Sequence, residues 1–207
     1  MDAEGQEFLR CGRPTVRDGK VPGTDGGRSL HSYADIGSST LSRGFFMPTA
    51  KDVIRNTSEM ANFIMGAYLE DLPEEAFFES PGAGLNPIAW QVGHLISAEN
   101  GWLEKIKPGS CPKLPEGFEA AHTKETAVPN TFKKVATKDE YLAAWKAQRD
   151  ATLAVLDGLP DSALDGSSGV EFAPTVATLL NMAGVHPLMH VGQFVALRRK
   201  HGLGVKI

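Results

Sequence analysis

The sequence predicts an all-α protein, built as a four-helix bundle with a long crossover between the second and third helices. Four segments repeat apolar residues at three- and four-residue spacing, as the buried face of a helix does. No stretch alternates apolar and polar residues convincingly enough to be a strand. Residues typical of helix starts and stops bracket each of the four segments, and four long amphipathic helices favour a bundle.

Two regions differ at about residue 47. Residues 1–46 are rich in Gly, Ser, Arg and Asp and show no sustained apolar period. Such a segment buries too little apolar surface to offset its ordering entropy, so we expect a flexible, largely disordered extension. Residues 47–207 are then the helical domain, and Met47, just before the first helix, is a candidate for the biological start of the chain.

The first two helices carry clear signals at their ends. Thr49 can cap the first helix. The second is predicted to have Asn86 as its N-cap, Pro87 at its first helical position and the Pro108–Gly109 pair as its stop. The apolar face of the first helix is predicted to contain Val53, Met60, Ile64, Tyr68 and Leu72.

The crossover and the third helix follow. Residues 108–136 are long enough to cross the end of a bundle, so the second and third helices need not be antiparallel neighbours. Thr137 and Glu140 have the spacing of a capping box, and Gly158 ends the periodic stretch that follows them.

The fourth helix can be capped by Thr175 and ends in cations before Gly202, where the helix dipole favours positive charge. Pro187 interrupts it, because proline has no N–H to donate to the Ala183 carbonyl. Two interpretations stay open: a continuous helix loosened at Pro187, or a helix that restarts there and leaves His186 outside as a cap.

A weak internal repeat accompanies these helices. The pattern Leu-Pro-acidic-x-Ala occurs twice, and the distance from Pro73 to Pro87 equals that from Pro160 to Pro174. The chain is either two similar helix hairpins, or it uses Leu-Pro-Asp/Glu twice as helix punctuation.

The composition argues against nucleic acid and membrane as partners. A net charge of -4 offers no basic excess for nucleic acid, and no apolar run approaches the roughly 20 residues of a membrane span. The two cysteines make no disulfide framework and the N-terminus has no signal-peptide pattern, so we expect a cytoplasmic protein.

Three histidines form a candidate metal site. His186 and His190 are four residues apart and therefore project from nearly one face of the fourth helix. His94 lies among apolar residues of the second helix, where an unpaired imidazole would be costly. Three neutral imidazoles suit a divalent cation such as Zn²⁺ or Ni²⁺ and leave coordination positions open, as reactive sites do.

Other ligand sets fit less well. The zincin pattern needs Glu after the first histidine, where this chain has Pro187. Glu99 is five residues from His94, about 140° around the helix, so the two could not easily share a metal. Cys111 is a weaker candidate in the crossover.

The stretches "WQVGHLISAENGWL" and "HPLMHVGQFVALRRKHG" resemble two motifs of the DinB/YfiT-like superfamily of metalloenzymes. The matching residues are His94, Leu95, Glu99, His186, His190, Gly192 and Gln193. The resemblance covers about residues 47–207. It implies a four-helix bundle with a buried three-histidine site, and Pro187 is the departure that puts the position of His186 in question.

Neighbouring residues have lesser predicted roles. Gln193 could hydrogen-bond the second nitrogen of a histidine or a metal-bound water, or it could be a surface glutamine. Trp90 and Gln91 share the face of His94 and either belong to the core or line a pocket, whereas Gly192 would allow another helix to approach closely.

The resemblance also implies an activity. Characterised members are metal-dependent thiol S-transferases, and isomerases that use a low-molecular-weight thiol such as mycothiol, bacillithiol or glutathione. We therefore expect a detoxification or stress enzyme with a small-molecule substrate and a thiol co-substrate. The alternatives are a non-catalytic metal-binding module and a helical domain that forms a homodimer.

Overall fold

The computed structural model describes residues 47–82, 84–127 and 132–207, and the expected N-terminal extension lies outside these residues. Within them no β-strand forms, and the prediction of an all-α bundle is confirmed. The α-helices are α1 (Ala50–Leu69), α2 (Glu74–Phe78), α3 (Ile88–Ile106), α4 (Phe118–Ala121), α5 (Lys138–Gly158) and α6 (Val176–Lys200).

The four long helices begin where their caps place them, with one exception. Thr49, Thr137 and Thr175 each accept a hydrogen bond from the backbone three residues on, and each forms a complete capping box. The prediction for α3 was wrong, because Pro87 is the N-cap and Asn86 lies outside the helix. Instead the Asn86 side chain donates to the Ala127 carbonyl, at 3.4 Å.

The buried face of α1 also differs from the predicted one. Val53 and Met60 are 51% and 55% exposed, although they were expected to face the core. The buried positions of this helix are Ile54, Ser58, Ala61, Met65, Tyr68 and Leu69. Spacing by three and four residues fits both stripes, so periodicity alone did not choose between them.

The long helices pack in two main pairs, α1 against α6 and α3 against α5. Gly184 permits the first pairing, since a Cβ at this position would lie 2.8 Å from the Thr57 side chain and 3.0 Å from the Ser58 backbone nitrogen. The predicted long crossover joins α3 to α5 and contains α4. Its Phe118 is 1% exposed, so the crossover contributes to the core.

Helix α6 is continuous through Pro187, which decides between the two interpretations of this segment. His186 is therefore a helical residue and not a cap. None of the described helices is long and apolar enough to cross a membrane.

Candidate metal centre

Helices α3 and α6 bring His94, His186 and His190 together. One ring nitrogen from each of the three lies within 4.8 Å of the others. The ring centroids are 5.3 Å apart for His94 and His186, 5.7 Å for His94 and His190, and 5.0 Å for His186 and His190. Among the residues that the structure describes, this is the group that could hold a metal ion.

The spacing of the two α6 histidines fits a tetrahedral ion. Their Nε2 atoms are 3.3 Å apart. Two nitrogens that each lie about 2.05 Å from a zinc ion, at a tetrahedral angle, are separated by about 3.3 Å. The donor set is therefore suited to a divalent cation that accepts imidazole ligands.

Gln91 fixes the orientation of the His190 ring. The Nδ1 atom of His190 lies 2.9 Å from Gln91 Oε1, and Gln91 Nε2 donates to the Asn86 carbonyl at 2.9 Å. The second hydrogen bond assigns the amide, because only its nitrogen can donate to a carbonyl. His190 then donates from Nδ1 and keeps the Nε2 lone pair directed at His186, the arrangement that a ligand needs.

The three histidines are neutral at pH 7. Burial lowers the pKa of His186 to about 4, and the neighbouring His190 and His94 add to the shift. Burial and His94 lower the pKa of His190 to about 4. The pKa of His94 also falls, chiefly through burial, although a hydrogen bond to the His122 backbone opposes the shift. Neutral imidazoles offer lone pairs to a metal at this pH.

Two tryptophans form walls of the cluster. Trp90 stacks on His94 with its ring centroid 5.1 Å away and its plane 5° from parallel, and it donates from Nε1 to Thr126 Oγ1 at 3.0 Å. Trp102 lies 5.5 Å from the His186 ring. Sequence reasoning placed Trp90 on the His94 face and missed Trp102, eight residues after His94 on the same helix face.

His122 anchors the crossover next to the cluster. Its Nδ1 donates to the Phe118 carbonyl at 2.6 Å, so its Nε2 accepts from the Tyr141 hydroxyl at 2.8 Å. The ring lies directly against Gly93, where a Cβ would come within 2.3 Å of it. His122 is thus a structural residue that seats the crossover beside His94.

Other predicted residues lie outside the cluster. Glu99 is 3% exposed and pairs with Arg149. The Cys111 thiol donates to the Asn100 carbonyl, and burial raises its pKa to about 12, with Glu104 adding to the shift.

The two remaining motif residues, Gln193 and Gly192, follow His190 on α6. Gln193 is half-buried, and its orienting role stays a prediction, since the described contact of this kind belongs to Gln91. Gly192 is exposed, and a Cβ at this position would have nothing within 4 Å of it. The close helix approach predicted at Gly192 was therefore wrong.

An apolar groove lies along the first half of α6, and none of the three histidines is among its lining residues. It has a volume of about 640 Å³ and lies between the first half of α1, the first half of α6 and the segment before α6. Phe172 lines it and also contacts Trp102, with ring centroids 6.1 Å apart. The groove is therefore linked to His186 through Phe172 and Trp102, whereas His94 lines a separate cavity of about 340 Å³.

Comparisons with known proteins identify the family. Neither the curated proteins nor the solved structures contain a match to this chain. The family model described as the DinB superfamily matches residues 65–194, a span that includes all three histidines and more than half of the sequence. The chain therefore belongs to the DinB superfamily.

Proposed function

We propose that the protein binds a divalent cation, Zn²⁺ or Ni²⁺, through His94, His186 and His190 and acts as a metal-dependent thiol S-transferase or a related detoxification enzyme. The observation that carries the proposal is the 3.3 Å separation of two Nε2 atoms, one of which is freed for a metal by the Gln91 hydrogen bond. A cation bound there would lower the pKa of a thiol in an open coordination position.

The chain's own residues support this chemistry. Trp90 and Trp102 pack against the rings of His94 and His186 and help to hold them in place. Gln91 keeps His190 in one tautomer, with its Nε2 lone pair available to an ion. A preorganised site of neutral ligands leaves the positive charge of the ion available to a thiol.

The apolar groove suggests which kind of electrophile would react with the thiol. Its lining includes Val185, which is adjacent to His186 in sequence, and Met182, one helical turn earlier. An electrophile with a hydrocarbon or aromatic part would bury that part in the groove and leave its reactive atom near the cluster. We therefore propose an apolar electrophile as the partner of the thiol.

Metal analysis tests the first half of the proposal. Protein purified without a histidine tag is expected to contain or take up one divalent ion per chain. A ligand that binds only the native state stabilises it by about 4 kcal/mol at a thousandfold excess over Kd. A chelator should therefore lower the melting temperature at pH 7.5, and added Zn²⁺ or Ni²⁺ should restore it. Protein that holds no ion and melts identically with and without chelator would contradict the metal site.

A turnover assay tests the second half. The metal-loaded protein is incubated with an apolar model electrophile and a panel of thiols (mycothiol, bacillithiol, glutathione and cysteine), and loss of free thiol is followed. We expect one thiol to react faster than in the same mixture with the His190→Ala protein. Metal binding without turnover of any thiol would favour a non-catalytic metal-binding module.

One observation favours the alternative of a helical dimer. Met60 and Phe63 of α1 are 55% and 65% exposed, and Met189 of the adjacent α6 is 59% exposed. A contiguous patch formed by these side chains would be typical of an interaction surface. We propose that a second copy of the chain binds there. Sedimentation equilibrium should give a dimer that Phe63→Lys converts to a monomer, and a wild-type monomer at micromolar concentration would contradict it.

A further inference from the structure

Pro187 leaves one carbonyl of α6 without its helical hydrogen bond. In a regular α-helix the N–H of residue 187 donates to the carbonyl of residue 183, and proline has no N–H. Ala183 is 3% exposed, so this carbonyl is buried with the rest of the residue. A buried carbonyl without a donor costs free energy, and therefore the donor that replaces the missing N–H matters.

Arg149 of α5 supplies that donor. Its Nη1 lies 2.8 Å from the Ala183 carbonyl oxygen and 2.6 Å from Glu99 Oε2 on α3. The side chains of Arg149 and Glu99 are 2% and 3% exposed. The guanidinium is also held from α1, since its Nε donates to Asn62 Oδ1 at 2.8 Å.

Glu99 is fixed as firmly as its partner. Thr152 donates to the second carboxylate oxygen of Glu99. Burial raises the pKa of Glu99, but hydrogen bonds to both oxygens and the adjacent guanidinium favour the ionised form. The pair therefore forms one rigid connection between α3, α5 and the interrupted turn of α6.

This connection joins the two helices that carry the candidate ligands. Ala183 is three residues before His186, and Glu99 is five residues after His94. Replacement of buried ion pairs by apolar residues is often neutral or stabilising, so fold stability alone does not account for such a pair. Because Arg149 donates to the Ala183 carbonyl, the pair fixes the turn of α6 that carries His186.

We propose that Glu99 and Arg149 are positioning residues for the metal centre, which hold the α6 turn at Pro187 so that His186 faces His94 and His190. They do not touch the ion. This inference rests on the proposed metal site, and it assigns a role to Glu99 and to Pro187 that is independent of the thiol and of turnover.

The test measures Co²⁺ affinity in a variant that removes the complete pair, Glu99→Leu with Arg149→Met. Both partners are replaced together because a single substitution would leave the other charge buried and unpaired. We expect Kd for Co²⁺ to rise by about tenfold or more, because loss of a residue that orients a metal ligand typically weakens metal binding by that factor. The visible Co²⁺ spectrum should also change. The control is Lys146→Met with Asp150→Asn, which removes an exposed pair from the same helix and should leave Kd unchanged.

A double-mutant cycle with Pro187→Ala tests the route of the effect. Alanine restores the N–H at position 187, so the Ala183 carbonyl no longer depends on Arg149. Loss of the pair should then change the Co²⁺ Kd by less than about threefold in the Pro187→Ala background, because the two changes act on one turn. Equal effects of the pair in both backgrounds would overturn the proposal.

Two further outcomes are decisive. Wild-type protein that binds no Co²⁺ would contradict the metal site itself, whereas wild-type binding with an unchanged Kd in the pair variant would overturn only the positioning role. If the pair variant fails to fold, Arg149→Lys replaces it. This variant keeps a cation beside Glu99 but lacks the guanidinium fork. It should also weaken Co²⁺ binding in a protein that still folds, while the metal-free protein loses some stability with the hydrogen bond to the Ala183 carbonyl. A lowered melting temperature with an unchanged Kd would make the pair a fold element alone.

Discussion

His122 and His190 are both imidazoles whose pKa burial lowers to about 4, yet their surroundings differ in one respect. Both ring nitrogens of His122 have hydrogen-bond partners of opposite kind, the Phe118 carbonyl and the Tyr141 hydroxyl. His190 has such a partner at Nδ1 only, and its Nε2 faces another imidazole nitrogen. A lowered pKa therefore does not distinguish a structural histidine from a candidate ligand, whereas the partners of the two ring nitrogens do.

Substitution of a candidate ligand should have the largest effect on metal. His94→Ala, His186→Ala and His190→Ala should each reduce bound metal to below about a tenth of the wild-type content, because two imidazoles do not complete a three-histidine site. The far-UV circular dichroism should remain helical. Elemental analysis of the purified proteins checks this, and full metal content in all three variants would mean that the site is wrongly assigned.

Substitution of His122 should have the opposite pattern. His122→Ala removes a buried ring and leaves the Tyr141 hydroxyl without its acceptor, so we expect a loss of about 2–4 kcal/mol in the free energy of unfolding. Metal content should stay close to that of the wild type. Denaturant unfolding and elemental analysis of the same preparation separate the two effects; a metal-free but fully stable variant would reverse the roles of His122 and His190.

Two glutamine substitutions test which residue orients the His190 ring. Gln91→Leu removes the acceptor that keeps His190 in one tautomer, and we expect metal affinity to fall by about 10- to 100-fold. Gln193→Leu, the matched change in the neighbouring motif, should have the smaller effect. Competition titration with a chromophoric chelator measures both, and the reverse order would transfer the orienting role to Gln193.

Two glycine substitutions test whether the packing of His122 matters for stability. Gly93→Ala places a Cβ within 2.3 Å of the His122 ring, so the variant should lose about 1–3 kcal/mol of stability. Gly192→Ala meets nothing within 4 Å and exchanges glycine for a better helix former, so it should be neutral or stabilising by up to about 1 kcal/mol. Thermal denaturation of the two proteins checks this, and equal losses would contradict the seating of His122 on Gly93.

The last prediction concerns the pH dependence of the metal-free protein. Native His122 takes up its proton near pH 4, while an unfolded histidine does so near its ordinary pKa of 6.5. Between these values the unfolded state binds more protons at this residue, so the contribution of His122 to the free energy of unfolding falls as pH falls from about 6.5 to about 4 and is constant above that range. This slope should be shallower in His122→Ala, as urea unfolding at several pH values would show. Identical slopes would mean that His122 is not held neutral by the fold.

Several parts of the molecule could be predicted from sequence because their signals are local. The N-caps at Thr49, Thr137 and Thr175 and the capping box of Thr137 with Glu140 depend only on residues close in sequence, and all of these predictions are confirmed. The two motifs together predicted that His94 would lie near His186 and His190. In the structure one ring nitrogen of each histidine lies within 4.8 Å of the others.

Other parts depend on contacts between distant segments, which periodicity does not contain. Asn86 looked like an N-cap, but its side chain reaches the crossover at Ala127, and Pro87 took the cap position. Glycines at positions 93 and 192 look equivalent in sequence, and only the placement of His122 makes the first a site of close approach. Arg149 carried no signal at all, because its importance follows from a carbonyl 34 residues away.

Two tryptophans lie close enough to the histidine cluster for their fluorescence to respond to a bound metal ion. The chain has three tryptophans, and two of them, Trp90 and Trp102, have their rings 5.1 Å and 5.5 Å from the rings of His94 and His186. A paramagnetic ion such as Ni²⁺ or Co²⁺ held by these imidazoles would lie close enough to quench indole emission, while Zn²⁺ would not quench in this way. The intrinsic fluorescence of the unlabelled chain would thus show whether a paramagnetic ion such as Ni²⁺ or Co²⁺ occupies the histidines.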